Sequence, residues 1–209
     1  MKITIVGAGN MSSGLVKQLS NAGHEIRVTA RNLAKAQALA DGKARVVAVT
    51  AEQSLADSEV VIVATGYDDA VRALRSLGNL SGRIVIDITN PLNADYSGLT
   101  IGHHTSAAEE IARALPDAHV VKAFNTVFAQ VLAEGPTLGN AQVPVYFAGD
   151  DKRARETVRS LIDSIGFKPV DAGGLKNARY LEPLAGLNIY FGYGAEQGTR
   201  IAPAWIGLA

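Results

Sequence analysis

Two glycines close to the start of the chain have the spacing of a phosphate-binding turn. Gly7 and Gly9 directly follow a β-branched run at residues 3–6, and apolar residues at helical spacing come next. Gly7 lets the chain turn sharply out of a strand, and Gly9, which has no Cβ, lets the backbone approach a pyrophosphate. The free N–H groups and the positive dipole end of the following helix favour the same anion. Ser12 stands where this motif usually has a third Gly or Ala, and Ser is small enough for the same close contact. Strand, glycine turn and helix together predict a dinucleotide-binding site, with a glycine turn that binds no nucleotide as the alternative.

The residues after the second predicted strand, 25–29, indicate which dinucleotide is bound. An NAD site usually carries an Asp or Glu about 20 residues beyond the glycines, where it binds the ribose 2′-hydroxyl. No acidic residue occurs between Ile26 and Ala40, whereas Arg31 and Lys35 lie one helical turn apart. A carboxylate would repel a 2′-phosphate, while an Arg can hold it with a forked pair of hydrogen bonds. We therefore predict NADP(H) over NAD(H), with solvated charges at the start of a helix as the alternative.

Three further loops are expected beside the cofactor because they follow predicted parallel strands. These apolar strands lie at residues 59–64, 83–88 and 119–122. In doubly wound sheets, ligands bind outside the carboxyl ends of the strands. The loop that begins at Thr65 and Gly66 should therefore border the cofactor, and the loop at 123–128 should face its nicotinamide end. Asn90 precedes Pro91, which restricts it to an extended or turn conformation, so it belongs to a rigid loop at the second strand end.

Predicted strands and helices alternate along the chain, from the helix capped by Asn32 to a helical tail. This alternation indicates an α/β protein with a doubly wound Rossmann NAD(P)-binding fold and a mostly parallel sheet of about eight strands joined by right-handed crossovers. Residues 137–142 are expected to be a glycine-bearing connection. We expect residues 1–172 to form the Rossmann domain and residues 173–209 to form a short helical C-terminal segment packed on it within one structural unit. The apolar stretch 201–209 should be buried, and we predict that it helps to form a homodimer beside the acceptor site.

Composition excludes several classes of protein. The chain has 209 residues, of which 47% are apolar, and a formal net charge of zero, so there is no electrostatic case for nucleic acid or an anionic membrane surface. The absence of cysteine excludes disulfides, thiolate metal sites and thiol nucleophiles. The chain shows no signal-peptide pattern, and no apolar stretch reaches the ~20 residues needed to span a bilayer. We expect a cytoplasmic protein.

No catalytic side chain and no metal site are predicted. His103 and His104 form the only histidine pair, but adjacent side chains point in different directions and no third ligand lies nearby. No Ser nucleophile motif occurs, and no Lys or His is placed as an obvious general base. Hydride transfer between two ring systems needs alignment and a dry pocket rather than a protein acid or base, because the cofactor carries the chemistry.

Taken together, these motifs resemble the NADPH:coenzyme F420 oxidoreductase family over essentially the whole chain. The resemblance is carried by Gly7-Ala8-Gly9-Asn10-Met11, Arg31 with Lys35, Thr89-Asn90-Pro91-Leu92, Val121-Lys122-Ala123-Phe124-Asn125-Thr126, Asp171-Ala172-Gly173-Gly174-Leu175 and Ala178-Arg179-Tyr180-Leu181-Glu182-Pro183. The chain is also similar to the cytosolic reductase domains of the six-transmembrane metalloreductases. The resemblance implies the Rossmann fold, NADPH as the nucleotide, and a second ring system that stacks on the nicotinamide. That second substrate is a deazaflavin (coenzyme F420) or a flavin, FMN or FAD.

Carried over residue by residue, the resemblance implies a set of cofactor contacts. They are Gly9, Asn10 and Met11 at the pyrophosphate; Arg31 and Lys35, with Asn32 between them, at the 2′-phosphate; Thr65 and Gly66 at the ribose and nicotinamide; and Asn90, Ala123 and Asn125 near the nicotinamide ring. One departure concerns Ser12, which replaces the usual third small residue. Another is that Thr65-Gly66-Tyr67 lacks the proline often found after this strand, which leaves the shape of the acceptor pocket open.

The leading hypothesis is an NADPH-dependent oxidoreductase that transfers hydride between NADP(H) and a deazaflavin or flavin. An alternative is the reduction of a small imine or carbonyl substrate, which is disfavoured because only residues 176–209 remain to build a second domain. A third hypothesis is a redox sensor that binds NADPH without turnover. The acceptor does not follow from the sequence.

Overall fold

The computed structural model describes residues 1–207 and centres on a sheet of eight strands. The strands are β1 (Lys2–Val6), β2 (Glu25–Thr29), β3 (Val46–Ala48), β4 (Val60–Val63), β5 (Ile84–Asp87), β6 (His119–Ala123), β7 (Thr137–Leu138), β8 (Ala141–Gln142), β9 (Pro144–Gly149) and β10 (Lys168–Asp171). The order across the main sheet is β10-β9-β6-β5-β4-β1-β2-β3, and β7 and β8 form a separate antiparallel pair. The predicted Rossmann fold with a mostly parallel sheet is confirmed.

Helices cover both faces of this sheet. They are α1 (Asn10–Asn21), α2 (Leu33–Ala40), α3 (Tyr67–Arg75), α4 (Ala107–Ala114), α5 (Ala129–Glu134), α6 (Lys152–Ser164) and α7 (Ala178–Ile189), with a 3₁₀ turn at Leu175–Asn177 and a π-helical turn at Tyr190–Gly194. Side-chain oxygens of Asn32, Ser106 and Asp151 accept backbone N–H bonds and so define where α2, α4 and α6 begin. Among residues 1–207, no helix is long and apolar enough to cross a membrane.

The central strands are buried on both faces, as their near-continuous apolar sequences predict. All four residues of β4 are fully buried. Val60 and Ile62 pack in the larger core together with Leu15 of α1. Val61 and Val63 face the opposite side and pack in the second core, which includes α3. This two-sided core holds the carboxyl ends of β1, β2, β4, β5 and β6 at one edge of the sheet, in parallel register.

Strand β9 is antiparallel to β6, which corrects the expectation of crossovers throughout. The connection between them is α5 followed by the β7–β8 hairpin rather than a long crossover helix. The hairpin closes on itself, since the Val143 N–H donates to the Pro136 carbonyl at 2.7 Å. The sequence reading missed α5, because six residues are too few for a helical period to show. Residues 137–142, expected to be a glycine-bearing connection, form that hairpin.

The C-terminal residues are packed less deeply than their apolar composition suggested. Ile201 and Ala202 pack against the main core, but the Trp205 residue is 57% exposed and Ile206 is fully exposed. The Trp205 ring lies edge-on to Tyr146, with 5.2 Å between centroids. The end of the predicted 201–209 stretch, residues 208 and 209, lies outside the described residues. The division into domains at residues 172 and 173 stays a prediction.

Candidate functional site

The glycine turn after β1 is tied to two neighbouring strands. Gly7 has φ +121°, and a Cβ at this position would lie 2.4 Å from the carbonyl oxygen of Ala64, just after β4. The Gly7 N–H donates to the carbonyl of Thr29 at the end of β2, at 2.8 Å. Both the backbone conformation and the close approach therefore require glycine.

Gly9 has no such requirement within the chain. It caps the amino end of α1, and a Cβ built on it would meet nothing within 4 Å. In contrast with α2, α4 and α6, helix α1 has neither a side-chain cap nor an acidic residue in its first turn. Ser12, one turn further on, is fully buried, and its hydroxyl has no hydrogen-bond partner among the residues that the structure describes. An open, uncapped helix end beside unfilled space fits a bound anion such as a pyrophosphate.

The residues expected to read the 2′-phosphate lie on the surface beside the end of β2. The Arg31 side chain is 83% exposed, and its guanidinium pairs with Asp69 Oδ2 on α3 at 3.1 Å. Arg72 also pairs with Asp69. The side chain of Asn32 caps α2 by accepting the N–H of Lys35, which is itself exposed. Arg31 keeps further N–H donors for a ligand, since a guanidinium carries five.

Thr65 and Gly66 lie in the turn between β4 and α3. The Thr65 hydroxyl donates to the Gly66 carbonyl at 3.0 Å. Gly66 caps α3, and a Cβ on it would meet nothing within 4 Å. This turn is therefore open in the same way as the turn at Gly9.

A pocket of about 1060 Å³ lies beside the glycine turn. Its walls come from the first turn of α1, the loops after β5 and β6, the loop at 95–99, and the end of α7 with its π-helical turn. Among the residues expected to bind cofactor, Asn10, Met11, Asn90 and Asn125 line this pocket. Ala123 is fully buried as the last residue of β6 and does not line it. The pocket thus joins the proposed pyrophosphate end to the proposed nicotinamide end.

Asn90 and Asn125 hold each other in place on the pocket wall. Asn90 Nδ2 donates to the Asn125 carbonyl at 3.0 Å, and Asn125 Nδ2 donates to Asn90 Oδ1 at 2.9 Å. Asn125 Nδ2 also donates to the carbonyl of Leu181 on α7, at 3.0 Å. These acceptors fix the orientation of the Asn125 amide, and Oδ1 is left buried with no partner in the described part of the chain, residues 1–207. The free group is an acceptor, so its partner must be an N–H or O–H donor.

Sequence reasoning missed a buried charge cluster directly behind this wall. Lys122 Nζ lies 2.6 Å from Asp87 Oδ2 and 2.8 Å from Glu182 Oε1, and it donates to the Thr89 carbonyl at 2.7 Å. All three charged side chains are almost wholly buried. The available signal was a lysine within an otherwise apolar strand, because a charged side chain is almost never fully buried unless paired. We call Asp87, Lys122 and Glu182 the buried triad.

The buried triad joins α7 and α4 to the sheet. Glu182 accepts backbone N–H bonds from Ala107 at 2.9 Å and from Ala108 at 3.3 Å, so it neutralises the amino end of α4. Burial raises the pKa of the Glu182 carboxyl, while Lys122 and the α4 N–H groups act in the opposite direction. Because Asn125 is bonded to Leu181, next to Glu182, the triad also positions the pocket wall.

Comparison with known proteins gives the same family from sequence and from structure. Residues 2–91 match the sequence model of the family described as NADP oxidoreductase, coenzyme F420-dependent. Metalloreductase STEAP3 of Rattus norvegicus is 33% identical over 205 residues, which cover 98% of this chain and 38% of the metalloreductase. This chain therefore spans less than two fifths of the length of that relative.

Two further relatives match over most of their length. The F420-dependent NADP reductase of Methanothermobacter marburgensis is 29% identical over 206 residues, covering 90% of this chain and 91% of the reductase. The crystal structure of a putative F420-dependent NADP reductase from Arthrobacter sp. FB24 superposes with a TM-score of 0.86 at 27% identity, covering 98% of this chain and 100% of that one. Over 90% or more of its length, this chain is therefore similar to proteins described as F420-dependent NADP reductases.

Proposed function

We propose that this protein is an NADPH-dependent oxidoreductase that transfers hydride between NADP(H) and a deazaflavin or flavin acceptor. The observation that carries the proposal is the location of unpartnered polar atoms. Among residues 1–207, buried hydroxyl or amide oxygens of Ser12, Thr89, Asn125 and Thr126 have no hydrogen-bond partner, and all four residues follow the carboxyl ends of central strands. The other such atoms described belong to ion-paired side chains. An unpaired buried polar group costs about 1–3 kcal/mol, so their concentration at one edge indicates a polar ligand there.

The adenosine and pyrophosphate half of the cofactor is assigned to the turns that follow β1, β2 and β4. Gly9, Asn10 and Met11 would hold the pyrophosphate at the uncapped end of α1. Arg31 and Lys35 would hold the 2′-phosphate, with Asn32 orienting the start of α2. The open turn at Thr65 and Gly66 would border the ribose. The absence of an acidic residue in this region supports NADP(H) rather than NAD(H).

The nicotinamide half is assigned to the 1060 Å³ pocket. When bound, NADPH supplies a hydride from its dihydronicotinamide ring. Asn125 Oδ1 would accept a hydrogen bond from the nicotinamide carboxamide, held in place by Asn90. Ala123, which does not line the pocket, would act only from behind the wall, as the residue of β6 that precedes Phe124 and Asn125. The mainly apolar walls would exclude water and stack the two ring systems, which is what hydride transfer requires of a protein.

We also propose that the protein is a homodimer. Leu187, Tyr190, Phe191 and Tyr193 are large apolar or aromatic side chains exposed around the end of α7, at one side of the pocket. A contiguous exposed surface of this kind is typical of an interface. Deleting residues 201–209 should convert the dimer into a monomer, as judged from the molecular mass in solution. A variant that stays dimeric would contradict a role for that stretch in assembly.

Anaerobic mixing of the protein with NADPH and one acceptor at a time tests the proposed activity. Oxidised coenzyme F420, FMN and FAD are each followed by loss of acceptor absorbance. Rapid loss with F420 alone supports a deazaflavin reductase, and rapid loss with FMN or FAD supports a flavin reductase. If NADPH binds but every acceptor stays oxidised, the proposal is wrong, and the remaining hypotheses are a small imine or carbonyl substrate and a sensor.

A further inference from the structure

The 1060 Å³ pocket, called the acceptor pocket below, has a negative charge, which is unusual for a site expected to face phosphorylated molecules. Asp95 is the single side chain lining it, among the residues that the structure describes, that is charged at neutral pH. The Asp95 carboxylate accepts the backbone N–H of Ser97 at 3.0 Å, and hydrogen bonding from Ser97 lowers the pKa of Asp95, so this group stays anionic. In the part of the chain covered by the structure, no Lys, Arg or His lines the pocket. The pocket therefore offers an anion no partner of opposite charge.

The buried cation behind the pocket wall, Lys122, cannot supply that partner. Lys122 is fully buried and already lies between the carboxylates of Asp87 and Glu182. Arg31 and Lys35 belong to the opposite end of the proposed cofactor site and are absent from the pocket lining. The uncapped end of α1, where Asn10 and Met11 line the pocket, is taken by the cofactor's pyrophosphate in the proposed function. A second phosphate, on the acceptor, would lose its hydration inside the pocket without gaining a cation. A phosphate on the acceptor must then lie outside the pocket.

The walls favour a flat ring instead. Phe128, Tyr190 and Tyr193 contribute aromatic surface, and the Phe128 and Tyr193 rings lie edge-on with 5.7 Å between centroids. Aromatic side chains bind other rings through large apolar contact and through stacked or edge-on geometry. Amide and hydroxyl groups of Asn125, Thr126 and Asn188 give directional hydrogen bonds without net charge.

We propose that this pocket recognises its hydride acceptor through an uncharged aromatic ring system alone, and that a phosphate or other anionic tail on the acceptor contributes no binding. This inference rests on the proposed function, because it describes the acceptor of that same site. The chemistry is balanced without an added reagent. One hydride, with two electrons, passes from C4 of the dihydronicotinamide to the acceptor ring, the reduced ring takes one proton from water, and NADP⁺ is the other product.

Riboflavin and FMN form the matched pair of probes, since they share one ring and differ by a phosphate. Their dissociation constants for the protein loaded with NADP⁺ are measured by quenching of flavin fluorescence, which requires no turnover. We expect riboflavin to bind as tightly as FMN or more tightly, and added salt to tighten FMN binding. Asp95→Asn should raise the affinity for FMN relative to riboflavin by about two- to fivefold, the size of one exposed charge interaction. Asp68→Asn on α3, outside the pocket, is the control and should leave that ratio unchanged.

The outcomes separate this inference from the proposed activity. FMN binding that is tenfold or more tighter than riboflavin would reveal a phosphate site and overturn the inference even if both flavins are reduced. Failure of both flavins to bind also overturns it. Equal binding of the two flavins without reduction by NADPH would support the recognition mode and contradict the proposed hydride transfer.

Discussion

At the adenosine end of the proposed cofactor site, Arg31 and Lys35 lie on an exposed surface four residues apart in sequence. At the nicotinamide end, Asn90 and Asn125 lie on a pocket wall supported by the buried triad, and these residues come from three distant segments. Exposed charges change the free energy of unfolding little, so their positions can be determined by ligand binding alone. Buried charges must be paired, so they contribute to folding and to the site together. The two ends should therefore respond differently to substitution.

The largest expected effect is on stability at the nicotinamide end. Lys122→Met keeps the length of the side chain but leaves the Asp87 and Glu182 carboxylates buried without their cation. Breaking a buried ion pair in this way typically costs about 3–5 kcal/mol. Urea unfolding at pH 7 measures the loss. Lys2→Met is the control, because Lys2 makes only an exposed pair with Asp57 at 3.5 Å, and equal losses for the two variants would contradict the distinction between buried and exposed charges.

The next effect is on nucleotide choice at the adenosine end. Arg31→Ala should weaken NADPH binding by about 1.5–3 kcal/mol, the scale of a charge-assisted hydrogen bond, and leave NADH binding nearly unchanged. Calorimetric titration with each nucleotide measures both. Arg72→Ala is the matched control, since Arg72 also pairs with Asp69 but is not among the residues predicted to contact the 2′-phosphate. A loss of the same size for NADH would show that Arg31 does not read the 2′-phosphate.

A smaller effect on nucleotide binding is expected at the nicotinamide end. Asn125→Ala removes the unpartnered Oδ1 and should weaken NADPH and NADH by the same amount, about 1 kcal/mol, because the nicotinamide is common to both. The same titrations give the result. A loss confined to NADPH would contradict the placement of Asn125 at the nicotinamide end.

The smallest effect concerns an ion pair between α4 and α7, outside the buried triad. The Arg179 guanidinium donates to Glu109 Oε1 at 2.6 Å, and this bond, with a further one from Ser106, holds the pKa of the Glu109 carboxyl below its ordinary value near 4.5. A depressed pKa means stability that is present above pH 4.5 and lost as the pH falls through the folded-state value. Glu109→Gln, which can keep the bond from Ser106, should cost about 0.5 kcal/mol at pH 7 after screening by solvent.

The pH dependence of that cost is its test. Urea unfolding of the wild type and of Glu109→Gln should differ at pH 7 and converge as the pH is lowered through and below the titration of Glu109. A difference that persists unchanged at acid pH would assign the effect to packing rather than to charge.

Several elements were predictable because their causes are local. The strand at 25–29, the helix cap at Asn32 and the glycine turn at Gly7 appear as expected, since β-branched runs, capping oxygens and positive φ act within a few residues. Helix α5 was not predicted, because its identity depends on packing against α1 rather than on its own periodicity. The direction of β9 was also missed, because an apolar strand has the same pattern in either orientation.

The sequence by itself determined the fold class, the phosphate-binding turn and the lack of an acidic residue at the adenosine end, because each depends on residue type at short spacing. Only the tertiary structure decided that Lys122 sits between Asp87 and Glu182, and that, among residues 1–207, Asn125 Oδ1 is unpaired and the 1060 Å³ pocket is lined by no cation. Those properties depend on which distant strand ends meet at one edge of the sheet. Pairing at long range is set by packing of the whole chain, and no local pattern encodes it.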